Sequence, residues 1–420
     1  MIEIRPGKIK EAVAAVPGSK SYTHRSLIAA ALSDGRCRIG NALRSEDTDL
    51  TLDCLQQLGA RVEEQKDGRL DITGCSGRFG SVDQPIFLGN SGTSMRLLTA
   101  VAALGQGRIT LTGSMRMRQR PIQELLDAMN QLGIDARSVE GNGCPPVEVT
   151  GGAFPGGKTR VDCRVSSQYL SALLLIAPFA QHPVKIEVSH GPVSRPYVDM
   201  TVDVMQQFGI QVVRSGYERF QVAGGQHYRA RDITVEPDCS QAGYFWAAAA
   251  ITGGSVKVLG TKSTSRQGDV RLAECFGRMG CTVTDEADGI RVRGGPLTAI
   301  AVDMADMPDM VPTLAVVAAF ADGTTVIENV AHLKAKESDR LSAVAAELTK
   351  MGVAVTASDS GLTVRGGRPT AAEIDTYDDH RIAMSFAPAG LVVAGLRIND
   401  EMCVAKSFPN FWEVFDSLYS

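Results

Sequence analysis

The residue types able to do chemistry gather at a few recurring places. Gly18-Ser19-Lys20-Ser21, Gly89-Asn90-Ser91-Gly92-Thr93, Ser166-Ser167-Gln168, Asp238-Cys239-Ser240-Gln241, Asp306 to Asp309 and Asp378-Asp379-His380-Arg381 each stand just before or at the start of an apolar helical stretch. A helix N-terminus offers unpaired N–H donors and a partial positive charge, so several such starts converging on one place make an anion site. Ordinary N-capping by Ser, Asn and Asp accounts for about half of these residues. It leaves Lys20, Arg25, Arg96 and Arg381 beside them unexplained. A second set opens amphipathic helices: Arg120-Pro121, Ser194-Arg195-Pro196-Tyr197 and Lys336-Glu337-Ser338-Asp339-Arg340. Pro121 and Pro196 suit a first helical turn. Lys336 and Arg340, four apart, are expected on one helix face with Glu337 beside them; taken alone, that cluster reads as a solvated, salt-bridged face. Lys406 lies in AKSFPNFW, a strand-to-helix turn where an isolated Lys is ordinarily surface.

The elements that must position these residues repeat. Five segments, beginning LDCLQQLG, LLDAMNQLG, VDVMQQFG, LAECFGRMG and VAAELTKMG, share one grammar: amphipathic helix, Gly, short strand, polar turn, second strand, Gly. Their pivots Gly59, Gly133, Gly209, Gly280 and Gly352 recur 71 to 76 residues apart and are expected in the left-handed conformation that ends a helix. Upstream of each runs an Ala/Leu-rich helix and a β-branched strand: Ser21 to Asp34, Thr93 to Gly105, Ser167 to Ala180, Ser240 to Thr252 and Pro312 to Ala321, with a sixth at His380 to Ala394. These first helices are apolar all round and belong inside; second helices such as Tyr197 to Phe208 belong outside. The sixth copy is truncated, and the opening strand Ile2 to Arg5 can supply what it lacks. The expected fold is α/β with two domains, each of three helix-strand-helix-strand-strand repeats packed around buried helices. One domain spans 19–229, the other 1–18 and 230–420.

Composition bounds the function. The 420 residues have a net charge of −4, 44% apolar and 21% charged residues, values of a globular chain that has no global attraction to nucleic acid or anionic membrane. Nine cysteines, none in a C-x-x-C pair, read as reduced thiols. The N-terminus lacks a signal-peptide core, and no apolar run reaches spanning length. A cytoplasmic soluble protein is expected. GSKS fails the P-loop pattern because Ser19 separates Gly18 from Lys20. The histidines show no ligand spacing, Asp47, Asp49 and Asp53 lack the Gly of a calcium loop, and no G-x-S-x-G elbow occurs, so neither a metal site nor a hydrolase triad is expected.

PGSKSYTHR, LGNSGTSMR, RQRPI, SSQYLSALL with SRPYVDMT, and KESDR followed by DDHRIAM and KSFP stand in one order along the chain. In these motifs the chain resembles the 5-enolpyruvylshikimate-3-phosphate synthase family along essentially its whole length. The resemblance implies the enolpyruvyl-transferase fold, two domains closing over a cleft, and transfer of the enolpyruvyl group of phosphoenolpyruvate to the 5-hydroxyl of shikimate 3-phosphate with release of phosphate. It implies a step toward chorismate and aromatic amino acids, inhibition by glyphosate, no cofactor, and a monomer.

Carried onto this sequence, the resemblance assigns Lys20 to both substrates. Ser21, Arg25, Ser166, Ser167, Ser194 and Lys336 would bind shikimate 3-phosphate, with Gln168, Tyr197, Asp309 and His332 beside it. Asn90, Gly92, Thr93, Arg120, Gln168, Arg340, Arg381 and Lys406 would hold phosphoenolpyruvate. A Gly at 92 suits a backbone that approaches the ligand closely. The implied catalytic set is Glu337 as proton carrier to carbon, Asp309 as base at the 5-hydroxyl, Lys20 at the departing phosphate and His380 orienting or relaying protons. His332 stands where Asn is frequent, which would make its contact pH-dependent. Ser91 and Ser94 stand where Ala is common. The nearest rival, the enolpyruvyl transferase acting on UDP-N-acetylglucosamine, uses a loop cysteine near positions 116 to 120, and GSMRMRQRPI has none. A non-catalytic repeat scaffold would give Glu337, Asp309 and the dispersed cations no reason to occur together.

Overall fold

A computed structural model describes residues 1–152 and 154–419. Contacts divide the chain into two compact units, one from Gly18 to Val235, the other Met1–Pro17 together with the chain from Glu236 onward. Each unit has its own hydrophobic core. The second crossing lies beyond the 229/230 boundary read from sequence, because Ile233–Thr234 pairs in parallel with Arg36–Gly40.

Helices alternate between inner and outer roles. In the first unit α1 (Lys20–Leu32), α3 (Gly92–Ala102) and α5 (Gln168–Ile176) are the buried helices, and α2 (Glu46–Gln57), α4 (Gln123–Gln131) and α6 (Pro196–Gln207) are amphipathic. In the second unit α7 (Cys239–Thr252), α9 (Val311–Ala318) and α11 (His380–Gly390) alternate with α8 (Leu272–Arg278), α10 (Arg340–Lys350) and α12 (Phe411–Asp416). Every residue of α7 from Cys239 to Ala250 is buried. Small residues permit that packing: a Cβ on Gly243 would lie 2.8 Å from Met310 Sδ and 2.9 Å from Leu272 Cδ2. All five pivot glycines have positive φ, between 75° and 113°.

Six small sheets flank the helices, five of four strands and one of three. The sheet Ile86–Phe87, Gly107–Thr112, Val147–Gly151, Ala136–Ser138 shows the pattern: a short leading strand parallel to the next, then two antiparallel returns. The sequence grammar lacks this leading strand. At two or three residues in five repeats, Ile86–Phe87, Ile233–Thr234, Ala12–Ala14, Ala301–Asp303 and Glu373–Ile374, it is too short to show alternation; in the third, Gly157–Asp162, it runs six residues. Ala12–Ala14 leads the fourth repeat by pairing with Ser255–Leu259, and Ile233–Thr234 leads the first. The chain therefore changes unit between a leading strand and the next helix in sequence, which belongs to a repeat of the other unit. In the sixth repeat Ile2–Glu3 pairs antiparallel with Arg397–Ile398 and closes the set, as the truncated repeat requires.

Several element bounds differ from expectation. Pro178 ends α5 early, and Ala177–Phe179 continue as a single 3-10 turn. Pro121 precedes α4 by two residues, whereas Pro196 does open α6. Lys336 and Arg340 do not share a helix face: α10 begins at Arg340 behind the cap Asp339, and Lys336 is extended at the end of a 3-10 segment, Ala331–Ala335. Asp339 accepts from Ser342 N, so the helix starts at its best available cap and leaves 336–338 in the preceding turn. Among the described residues no helix is long and apolar enough to cross a membrane.

Candidate active site

In the first unit the start of α1 carries Lys20, whose Nζ lies 3.1 Å from Asp47 Oδ2, with both side chains largely buried. One turn on, Arg25 is 1% exposed. Its guanidinium donates to Thr201 Oγ1 (2.7 Å), to the carbonyls of Ser21 (2.9 Å) and Tyr197 (3.1 Å), and to Ser171 Oγ (3.5 Å), all neutral oxygens. Burial draws its pKa down to about 10, because no carboxylate offsets the desolvation. Arg96 is likewise buried and donates to Gln168 Oε1 (3.1 Å) and the Pro121 carbonyl (3.1 Å). A buried guanidinium satisfied only by neutral acceptors keeps its charge for an anion.

Gln168 joins the starts of α3 and α5. Its Nε2 donates to Thr93 Oγ1 (2.9 Å), and its Oε1 accepts from Arg96 and from Ser166 Oγ (3.4 Å). Arg120 donates to the carbonyl and Oδ1 of Asn90 at 3.0 and 3.3 Å. Gly92 lies under both arginines: a Cβ there would strike Arg120 Nη2 and lie 2.6 Å from Arg96 Nη1. The glycine thus admits guanidinium groups over the helix start, a nearer reason than the close ligand approach expected from sequence. Ser194 is buried with φ of 55°, and its carbonyl accepts from Tyr197 N. Ser167 is the buried residue immediately before α5.

The second unit neutralises its arginines instead. Arg340, 1% exposed, donates from Nε to Asp379 Oδ2 (2.8 Å) and from Nη2 to Asp379 Oδ1 (3.1 Å), a two-point pair. The same guanidinium reaches Asp309 Oδ1 (2.8 Å) and Glu337 Oε2 (2.9 Å). Arg381 Nη2 takes the other Asp309 oxygen at 2.8 Å, and its Nη1 donates to Tyr244 Oη at 3.1 Å. Burial alone would raise the Asp309 pKa; Arg381, Lys336 and Arg340 outweigh it and hold the carboxyl well below the usual range. His332 is buried in the 3-10 segment, and desolvation followed by Lys336 draws its pKa to about 3. The ring is therefore neutral near pH 7. Lys406 is buried, not a surface residue, at the end of the 3-10 segment Glu401–Lys406. His380 is fully buried on α11, its Nδ1 3.8 Å from Asp379 Oδ1.

The model of the EPSP synthase (3-phosphoshikimate 1-carboxyvinyltransferase) family matches residues 4–415. A 3-phosphoshikimate 1-carboxyvinyltransferase from Syntrophobacter fumaroxidans is 48% identical over 408 residues, covering 96% of each chain. The chain belongs to the EPSP synthase family. The chloroplastic 3-phosphoshikimate 1-carboxyvinyltransferase of Arabidopsis thaliana is 44% identical, covering 96% of this chain and 81% of that one. A solved EPSP synthase structure from Acinetobacter baumannii superposes with a TM-score of 0.84 at 28% identity, covering 99% of this chain and 97% of that one. The fold is the mixed α/β enolpyruvyl-transferase fold, and the activity is that of 3-phosphoshikimate 1-carboxyvinyltransferase, EC 2.5.1.19, in the shikimate pathway.

Within this family member the structure brings Asn90, Gly92, Thr93, Arg120, Gln168 and Ser166 into one group, and Asp309, Glu337, Arg340 and Arg381 into another. Ser21, Arg25 and Tyr197 form a third. Sequence reasoning left four partners without a role: Asp47 against Lys20, Arg96 beside Gln168, Asp379 against Arg340, and Tyr244 against Arg381. Asp379 stood in the DDHR motif and Arg96 in LGNSGTSMR, but their partners lie 39 and 72 residues away. Nothing local in sequence pairs them.

Proposed function

We propose that the side chains named above divide the reaction as follows. Phosphoenolpyruvate is held by Arg120, Arg340, Arg381 and Lys406 with the Asn90–Thr93 turn and Gln168. Shikimate 3-phosphate is held by Ser21, Arg25, Ser166, Ser167, Ser194, Tyr197, His332 and Lys336. Lys20 serves both.

The observation that carries this reading is the double hold on Asp309, one oxygen on Arg340 and the other on Arg381, with Arg340 also on Glu337. The two cations assigned to phosphoenolpyruvate both hold the assigned base, and one of them also holds the assigned proton carrier. A carboxylate so held accepts a hydrogen bond from a hydroxyl but has little affinity for its proton. An anionic substrate on the same guanidiniums shares their charge and adds its own. Both effects raise the proton affinity of Asp309 and Glu337 at the moment it is needed.

Asp309 then takes the proton of the 5-hydroxyl as its oxygen bonds to C2, and Glu337, which takes up a proton from solvent as the anionic substrates bind, delivers it to the methylene carbon, giving a tetrahedral intermediate. The carbon–oxygen bond to phosphate breaks next, a methyl proton returns to the enzyme, and Lys20 meets the charge on the departing phosphate. His380 orients its neighbours. Stabilisation is electrostatic and positional throughout, so the reading needs no cofactor. It takes the enzyme to be a cytoplasmic monomer.

Phosphate release on mixing both substrates tests the assignment. Glu337→Gln is expected to slow turnover about a thousandfold while leaving shikimate 3-phosphate affinity within about threefold. Loss of that affinity with turnover preserved would remove Glu337 from the proton-carrying role.

A further inference from the structure

Ser91 and Ser94, both fully buried, stand where α1, α2 and α3 meet. Four contacts run through them. His24 Nδ1 lies 2.8 Å from Thr51 Oγ1, Thr51 Oγ1 lies 2.8 Å from Ser94 Oγ, Ser91 Oγ lies 2.7 Å from Ser94 Oγ, and Ser94 Oγ reaches the Asp47 carbonyl at 3.1 Å. A carbonyl only accepts, so the single Ser94 hydroxyl proton goes to Asp47. Ser94 must then accept from both Thr51 and Ser91. Thr51, its own proton committed, must accept from His24. No other assignment makes all four contacts hydrogen bonds. His24 is thereby fixed as the Nδ1–H tautomer, and its buried Nε2 is left as a bare acceptor with no partner among the described residues. Burial, the largest influence on the ring, draws its pKa to about 3 and keeps it neutral.

The two ends of this relay matter more than its middle. Asp47, whose carbonyl takes the Ser94 proton, is the residue whose carboxylate holds Lys20. Ser91, whose proton Ser94 accepts, caps α3 by accepting from Ser94 N and immediately precedes Gly92. We propose that Ser94 is a positioning residue, setting Lys20 through Asp47 and the Gly92 turn through Ser91, so that both are held in one register for the anionic substrates. This rests on the roles given above to Lys20 and the Gly92 turn. Thr51 and His24 hang on the relay without lying between its ends, which separates positioning from mere burial of hydrogen bonds.

Two measurements on the full chain test it. Histidine nitrogen NMR, with the His24 signal identified by its loss in His24→Asn, is expected to show a protonated Nδ1 and a bare Nε2; an Nε2–H tautomer overturns the relay. In steady-state kinetics Ser94→Ala is expected to raise the KM for phosphoenolpyruvate about tenfold with kcat changed less than about threefold, while Thr51→Val keeps both KM values within about twofold despite a similar fall in melting temperature. Equal KM shifts in the two variants, or none in Ser94→Ala, overturn the proposal. Should Ser94→Ala not fold, Ser91→Ala cuts one tie and should raise the same KM about threefold; no rise overturns it equally. Lys20→Met with unchanged KM for both substrates would instead sink the underlying assignment, leaving the His24 tautomer as it is.

Discussion

Asp309 and Arg340 are joined by a 2.8 Å ion pair in which the arginine is almost fully buried and the carboxylate spends its second oxygen on Arg381. Arg340 in turn divides itself among Asp309, Glu337 and Asp379. Three carboxylates against two guanidiniums leave one negative charge in excess, which Lys336, close enough to act on Asp309, offsets, and an incoming anion must rearrange that cluster.

The first prediction concerns pH. The folded-state pKa of Asp309 is depressed, so the carboxylate is ionised above the ordinary carboxylate range and stays so far below it. The acid limb of kcat/KM, which reports groups of the free enzyme, should therefore belong to another residue. Asp309→Asn is expected to lower kcat at least a hundredfold, with the midpoint of any residual acid limb unmoved. A limb that disappears with Asp309 would contradict this.

Asp379 has no exposed surface and forms the two-point pair with Arg340. Removing its charge takes the two-point partner from Arg340 but leaves Asp309 and Glu337 on that guanidinium, so the cost falls short of a fully broken buried pair, at about 2 kcal/mol. Asp379→Asn should lose about that much in urea unfolding, more than Asp339→Ala, which removes only an exposed cap worth about 1 kcal/mol.

His332 has a depressed folded pKa of about 3, so folding holds it neutral where the unfolded chain protonates it. The unfolded state then binds more protons, and this residue's contribution falls as pH drops from about 6.5 toward 3. At pH 5 the penalty is about 2 kcal/mol. His332→Asn should show a shallower loss of stability between pH 7 and 5, and a pH–rate profile between 6 and 8 indistinguishable from that of the parent.

Gly92→Ala places a methyl group against the ends of Arg120 and Arg96. Both are flexible side-chain tips, so the fold should survive with a melting temperature within a few degrees. Arg120 moves instead, and with it the hold assigned to it on phosphoenolpyruvate. KM for that substrate should rise about tenfold or more while shikimate 3-phosphate binding changes little.

Much of the architecture is legible in the sequence because its signals are local. A helix that ends in a left-handed Gly, followed by two short strands, recurs at Gly59, Gly133, Gly209, Gly280 and Gly352, and each of these residues has the φ that only Gly adopts cheaply. Apolar runs such as Ala247 to Ala250 declare burial without any partner being known. The motif order from PGSKSYTHR to KSFP carries the family, confirmed over residues 4–415.

What the tertiary structure alone decided is pairing. The two-residue leading strands have no periodicity, and their register exists only once Ile233 meets Ile39 or Ile374 meets Ile398. Nor does any local rule say that Arg25 and Arg96 are buried among neutral oxygens while Arg340 is buried among carboxylates. An arginine's charge is written in the sequence. Whether that charge is already spent depends on which oxygens folding brings within 3 Å, and Coulomb energy in a poorly solvated interior makes that distance decisive.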